Sequence, residues 1–482
     1  MQNEEMCRVK QKNIPGLSRA GFVAALLLWC GLAPQAARGA APEPVDWIVS
    51  GKFVVTMDAG RRVIQHGSVA IRGERIVAVG PSEEIASRFH AAHTLSREQD
   101  LIAPGLIDTH THAAMSLFRA FADDQRLEDW LTKFIFPAES KNVDREFVHW
   151  GTELACLEMA LAGITTYTDM YYFEDEVAAT TKRAGLRGVL GQTVIGFPAP
   201  DYKSWQEAVR GAGRFIDTYA HDPLIVPAVA PHAIYTTPNE ALQAAHALAV
   251  KLGAPLLIHV AETRKERDDS MAQRGMSPVA VLEKLGVLDG RVVAAHCVWM
   301  SDADLEILKR KGTGVAHCPS SNMKLASGIA PVTKMLKMGI HVGIGTDGFA
   351  GSNDSADLIL EMNLAAKLQK VATMDPHSLP AEQVLEMATI GGARVLGLDR
   401  EIGSLEEGKR ADLITVSLAH PNAVPLYDLY SQIAYAAKAS DVDDVFVNGS
   451  EVVAGRHMLT LDADEIYRRA EAYHLRVLAS LK

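Results

Sequence analysis

Pro104-Gly-Leu-Ile-Asp-Thr-His-Thr-His112 is a short apolar run that ends in polar, chemistry-bearing residues. That is the texture of a buried parallel strand whose carboxyl end faces a site. Its strand-like part, residues 105–110, opens a series of eight β-branched runs. The others are residues 164–169, 188–194, 225–230, 255–260, 292–297, 314–318 and 341–346. Longer stretches fill the gaps, among them residues 241–252 and 302–311, with apolar side chains recurring at three and four as on a buried helix face. Eight strand-and-helix units between Pro104 and about Arg400 predict an α/β fold, a (β/α)8 TIM barrel spanning residues 104–399. A doubly wound open sheet is the alternative use of the same units, but no Gly-rich dinucleotide loop follows the first strand.

Outside this region the texture changes. Trp47-Ile-Val49, Phe53-Val-Val-Thr-Met57, Ser68-Val-Ala-Ile71 and Arg75-Ile-Val-Ala-Val79 read as short strands separated by Asp58-Ala-Gly60 and Arg72-Gly73. Residues 411–416, 442–448 and 451–453 repeat that texture around the turn Asn448-Gly449. The two ends are predicted to pair as a small β-sandwich, residues 44–103 with 400–460, followed by an amphipathic helix over 461–482 whose charges form a solvated face.

Arg8, Lys10, Lys12 and Arg19 precede an apolar stretch over residues 20–33, with small residues at Ala37, Gly39, Ala40 and Ala41. This order predicts a signal peptide over residues 1–40 and a periplasmic or secreted protein; a misassigned start would leave the protein cytoplasmic. The apolar stretch is too short for an ordinary membrane span, so no stable insertion is expected after processing. Of the five cysteines, Cys7 and Cys30 lie in this leader, and Cys156, Cys297 and Cys318 are irregularly spaced, so no disulfide framework is expected. Hydrophobic residues at 48% and charged residues at 22% describe an ordinary globular body. A formal charge of -11, with no basic run, argues against nucleic acid as a partner.

The strand ends carry the chemistry. Alternation along the first strand points His110 and His112 to the same side, where both imidazoles can reach one ion. An H-x-H pair alone is equally well explained by packing. Strand five, however, ends in His259 with Glu262 just beyond it, strand six in His296, and strand eight in Asp347. Coincidence at four strand ends argues for a metal centre: His110, His112, His259 and Asp347 as ligands, Glu262 as proton donor or acceptor. One divalent ion suits such a set, zinc first and iron second. Cys297 and Cys318 read as small apolar strand residues, with no base spaced to activate them.

Pro104 to His112, His259-Val-Ala-Glu262, Ala295-His296, Pro319-Ser-Ser-Asn-Met-Lys-Leu-Ala-Ser-Gly328 and Gly345-Thr-Asp347 together resemble the amidohydrolase superfamily. The chain is more closely similar to its branch of methylthioadenosine and S-adenosylhomocysteine deaminases, which also holds s-triazine chlorohydrolases and guanine deaminases. Glu128-Asp-Trp-Leu131, Phe136-Pro-Ala-Glu139 and Ala230-Pro-His-Ala-Ile-Tyr235 extend the likeness. The resemblance implies that Trp130 lines a base pocket, Glu139 holds ribose hydroxyls and His232 contacts the purine. Binuclear relatives use a carboxylated lysine on strand four; residues 225–230 contain none, which implies a single metal.

The implied reaction is hydrolytic deamination of a 6-aminopurine nucleoside, with nucleoside and water as partners. Asp347 would accept the water proton, Glu262 would protonate the ring nitrogen, and His296 would orient the attacking water and stabilise the adduct. A homo-oligomer is compatible with this reading. Rival readings are a guanine or pterin deaminase, a triazine chlorohydrolase, or a non-catalytic purine-binding envelope protein. One departure concerns the substrate tail. S-adenosylhomocysteine deaminases are similar to one another in offering arginines in and after strand three. Here Gln192 or Thr193 falls at the first such place, Lys203 is the near cation, and Phe197 and Pro198 suit an apolar tail. Arg210 or Arg214 on the next helix is the alternative source of a cation.

Overall fold

The protein is described by a computed structural model over residues 41–481; the leader expected over 1–40, with Cys7 and Cys30, lies outside the described residues. Four strands come first: β1 (Glu43–Val55), β2 (Val63–Arg72), β3 (Arg75–Pro81) and β4 (Phe89–Pro104). Eight parallel strands follow as β5 (Leu106–His112), β6 (Ile164–Tyr171), β7 (Arg187–Val194), β8 (Ile225–Pro231), β9 (Leu256–Val260), β10 (Val292–His296), β11 (Gly314–His317) and β12 (Val342–Ile344). Each of the eight expected runs falls on one of them. They pair in chain order, and β12 pairs back onto β5 through Ile344 and Asp108, so the sheet closes into a barrel instead of staying open. A two-residue strand, β13 (Asp347–Gly348), continues that seam, with Asp347 opposite Thr111 and Gly348 opposite His112. This register brings Asp347 beside the two histidines of the first strand.

The remaining strands are β14 (Leu413–Ser417), β15 (Val442–Val447), β16 (Ser450–Ala454) and β17 (His457–Met458). Both chain ends form one continuously hydrogen-bonded sheet in the order β17-β16-β15-β14-β4-β1-β2-β3. This sheet folds over itself. Trp47 on β1 and Phe446 on β15 are three strands apart in the ladder, which would separate them by about 14 Å in a flat sheet. Their rings instead meet edge to face at 5.2 Å, and Val49, Val69, Ile71, Leu413 and Phe446 share one buried cluster. The two short strands expected at 47–49 and 53–57 are one strand with a register shift between Gly51 and Phe53. β4 was not expected, because most of its first eleven residues are polar or exposed.

The final helix, Ala463–Ser480, starts at an Asp462 cap and buries Ile466, Tyr473 and Val477. Tyr473 packs edge to face on Phe147, at 5.5 Å, in the helix Arg145–Leu161. Its arginines stay on the solvated face. Among the described residues no helix is long and apolar enough to cross a membrane.

Candidate metal centre and substrate pocket

Strand alternation puts His110 and His112 on the barrel-mouth side of β5, while β9 and β10 end in His259 and His296. His112 Nδ1 lies 2.7 Å from the Met170 carbonyl, and His259 Nδ1 lies 2.8 Å from the His232 carbonyl. A carbonyl only accepts, so each Nδ1 carries its proton, and in the neutral ring each Nε2 presents a lone pair. Those two Nε2 atoms stand 3.3 Å apart. Burial, followed by the neighbouring histidines, holds His259 well below the usual imidazole range, which favours a free lone pair on its Nε2. Among the described residues His110 Nε2 is buried without a hydrogen-bond partner. Asp347 Oδ1 is 3.4 Å from the Nε2 of both His110 and His112.

Ligand atoms about 2.1 Å from a tetrahedral ion are separated by about 3.4 Å. The contacts of 3.3, 3.4 and 3.4 Å fall at that spacing, and among the described residues His110, His112 and Asp347 form one group that could hold a metal ion while His110, His259 and His296 form another. Neutral imidazoles with one carboxylate suit a first-row divalent ion.

His296 stands within metal-binding reach of His110 and His259. Its Nδ1 is 3.1 Å from Asn322 Oδ1, and its Nε2 is 3.8 Å from Glu262 Oε2 and 4.0 Å from Asp347 Oδ2. Burial, then the Asp347 charge, pushes the Glu262 carboxyl well above the usual range, which favours its protonated form. His296, Asp347 and Ala261 all have left-handed backbone, with φ of +70°, +67° and +50°. Non-glycine residues occupy that region only where their surroundings hold them, and functional sites collect such strain.

Three buried carboxyls brace the centre. Asp108 accepts from His110 N at 3.2 Å, Thr346 N at 3.1 Å and Thr346 Oγ1 at 2.6 Å, joining the β5 and β12 sides of the seam. Glu266 accepts from Ala261 N at 3.1 Å and Glu262 N at 2.8 Å, which fixes the backbone that carries Glu262. Glu361 accepts from Ser320 N at 2.9 Å and Asn353 Nδ2 at 3.0 Å, and Asn353 also binds the Thr346 carbonyl at 2.7 Å. Sequence reasoning missed all three. Thr263-Arg-Lys-Glu266 carried a usable signal, because that spacing marks a helix start; Thr263 does accept from Glu266 N at 3.1 Å.

The pocket is lined by His112, Trp130, Glu139, His232, His259, Glu262, His296 and Asp347. Glu139 Oε1 accepts from Tyr171 at 2.8 Å and Oε2 from Tyr172 at 3.3 Å; burial outweighs these bonds and pushes its carboxyl up to about 7. Neither tyrosine was singled out in the sequence. His232 Nδ1 is 2.8 Å from Thr236 Oγ1, whose hydroxyl donates to the Ala233 carbonyl at 3.3 Å. Thr236 therefore accepts from Nδ1–H, and His232 Nε2 is left as an acceptor. Trp130 Nε1 is buried and unpartnered among the described residues.

Gln192 turns away to Asp201 Oδ2 at 2.8 Å, and Thr193 lines the pocket. Phe197 packs edge to face on the lining residue Phe136, at 5.2 Å. Lys203, Arg210 and Arg214 are exposed, and no lysine or arginine is among the lining residues. Cys297 and Cys318 are buried, and burial pushes both thiols up, so neither offers a thiolate.

Residues 101–452 match the amidohydrolase family, and residues 69–92 match an imidazolonepropionase-like composite domain of bacteria. The chain is 45% identical over 427 residues to a 5-methylthioadenosine/S-adenosylhomocysteine deaminase of Thermodesulfovibrio yellowstonii, covering 88% of this chain and 97% of the relative. It is 43% identical over 440 residues to deaminase 1 of the same description from Syntrophus aciditrophicus, covering 91% and 99%. Among solved structures, an adenosine deaminase of Xanthomonas campestris with bound zinc superposes with a TM-score of 0.89 at 37% identity, covering 91% of this chain and all (100%) of that one. An atrazine chlorohydrolase of Arthrobacter aurescens complexed with zinc superposes at 0.80 with 26% identity, covering 89% and 100%. A match over most of the chain, relatives above 40% identity and the histidine and aspartate cluster at the barrel mouth agree: the chain belongs to the amidohydrolase family, in the branch of the 5-methylthioadenosine/S-adenosylhomocysteine deaminases.

Proposed function

We propose that this protein is a metal-dependent hydrolytic deaminase of 6-aminopurine nucleosides, taking methylthioadenosine, adenosine or S-adenosylhomocysteine to the inosine analogue and ammonia. The reading is supported by the clustering of His110, His112, His259, His296 and Asp347 beside Glu262, whose buried carboxyl is pushed well above the usual range, with Glu139 in the same pocket.

His110, His112, His259 and Asp347 would hold a divalent ion, zinc ahead of iron, which would supply Lewis-acid activation, lowering the pKa of a bound water from 15.7 to about 7. Glu262 delivers its proton to the ring nitrogen next to the carbon under attack and regains one from the adduct hydroxyl as the carbon–nitrogen bond breaks and the carbonyl forms. Asp347 takes the proton released by water, and its Oδ2, 4.0 Å from His296 Nε2, is the side from which that proton passes to the leaving amine. His296, held by Asn322, orients the incoming water and stabilises the adduct. Trp130 walls the base, His232 offers an acceptor to the purine, and Glu139 binds the ribose diol. General acid and base steps of this kind contribute about 100- to 10,000-fold each.

The nucleoside reading stands ahead of guanine deamination and triazine dechlorination on this scaffold because Glu139 is buried in the pocket wall, placed by two tyrosines. Ammonia release from methylthioadenosine, adenosine and S-adenosylhomocysteine, with guanine and an s-triazine as comparisons, tests it; turnover of a comparison compound alone replaces it. The order of charge and apolarity in residues 8–33 supports an exported protein, and N-terminal sequencing of the protein recovered from the periplasm tests that.

A further inference from the structure

Within Pro319 to Gly328, Asn322 serves His296 and Leu325 lines the pocket, but Lys324 has no part in the chemistry above. Its Nζ lies 2.9 Å from Asp123 Oδ1 and forms a second ion pair with Asp354. The two aspartates belong to different loops. Asp123 follows β5, in the segment that brings Trp130 and Glu139 to the pocket; Asp354 follows β13, in the segment that brings Ser352.

Asp354 is itself a knot. Its Oδ1 accepts from Ala120 N at 3.0 Å, and its carbonyl accepts from Arg119. Arg119 pairs with Glu158, which also accepts from Ala356 N at 2.9 Å. These ties hold an unfavourable backbone, since Ala120, Ala122, Asp124 and Asp354 have φ of +56°, +60°, +61° and +80°. L-residues leave that region when nothing holds them there. The loop after β13 also sets the indole: a Cβ on Gly351 would lie 2.1 Å from Trp130 Nε1, so this backbone lies directly against the ring.

We propose that Lys324 is the positioning residue of the pocket roof, the shared cation that holds Asp123 and Asp354 together and thereby fixes Trp130 over the substrate. The inference rests on the reading of this pocket as the nucleoside site. Loss of the charge lets the two loops part; it leaves the metal ligands and Glu262 in place.

The test compares Lys324→Met, Lys324→Arg and Asp123→Asn with the parent as metal-loaded enzymes. In Lys324→Met, amide protection of residues 119–124 and 350–356 falls about tenfold, KM for methylthioadenosine rises about tenfold and kcat stays within about threefold, the split expected when binding alone is lost. Lys324→Arg restores both readouts, and Asp123→Asn, which breaks one arm, lies between. Unchanged protection in Lys324→Met overturns the latch. Lost protection with unchanged KM overturns its link to substrate, and a fall in kcat with metal loss makes Lys324 a support of the centre instead. Amide exchange needs no substrate, so failure of the deaminase reading shows separately, as absence of turnover in the parent.

Discussion

His112 Nε2 and His259 Nε2 face each other at 3.3 Å, while the Nδ1 of each is committed to a backbone carbonyl. That close approach of two ring nitrogens becomes favourable when a cation takes a lone pair from each. One metal per chain is therefore expected by elemental analysis of protein prepared without chelators. His110→Ala and Asp347→Ala should lower metal content and rate together, through loss of a ligand. Two equivalents bound at the strand ends contradict the single-ion account.

Glu262→Gln should retain metal and fold while losing deamination by at least about 100-fold, because the amide fills the same space but holds no acidic proton. Activity within a few-fold of the parent removes Glu262 from the reaction. A parallel loss of metal makes it a ligand.

The pocket should favour short, uncharged tails. With Gln192 engaged by Asp201, Phe197 on Phe136 and no lysine or arginine among the lining residues, a carboxylate tail finds no charged partner there. A charge-assisted hydrogen bond contributes roughly 1.5 to 3 kcal/mol, or about one to two decades in affinity. Methylthioadenosine and adenosine should accordingly show higher kcat/KM than S-adenosylhomocysteine in side-by-side assays. The reverse order means that Arg210 or Arg214 swings over the cleft.

Stability should depend on pH through the buried carboxyls. Burial pushes Glu361 up to about 8, so from about pH 4.5 to about 8 the folded protein holds a proton that the unfolded chain has released. With more protons bound in the native state, stability falls as pH rises through that window and levels off above it. Glu361→Gln should flatten the decline of Tm between pH 5 and 8. An unchanged slope assigns the effect to other groups.

The barrel was legible because each strand is an apolar, β-branched run, and because those that end at the site end in groups with no packing purpose there. His110, His112, His259 and Asp347 announce themselves by falling at equivalent strand ends. β4 was not legible: its polar residues 90–100 have the alternation of a strand without the apolar partner signal that identifies one. Asp108, Glu266 and Glu361 were hidden for a different reason. A carboxyl counts as a brace only when burial and a backbone donor meet it, and both come from segments distant in sequence, such as Thr346 for Asp108 and Ser320 for Glu361. Tyr171 and Tyr172 follow the same rule, since nothing on β6 shows that Glu139 lies against them.

Metal-ligand candidates at the strand ends, a buried acid and a pocket carboxylate are together proposed to make this protein a nucleoside deaminase. The most direct measurement is ammonia released from methylthioadenosine by the metal-loaded enzyme, followed before and after chelation and again after one equivalent of zinc. Stoichiometric ammonia and the inosine analogue are expected, with loss of turnover on chelation and its return with the single equivalent. Turnover that survives complete metal removal, or a fully loaded enzyme that releases no ammonia from any 6-aminopurine nucleoside, contradicts the proposal.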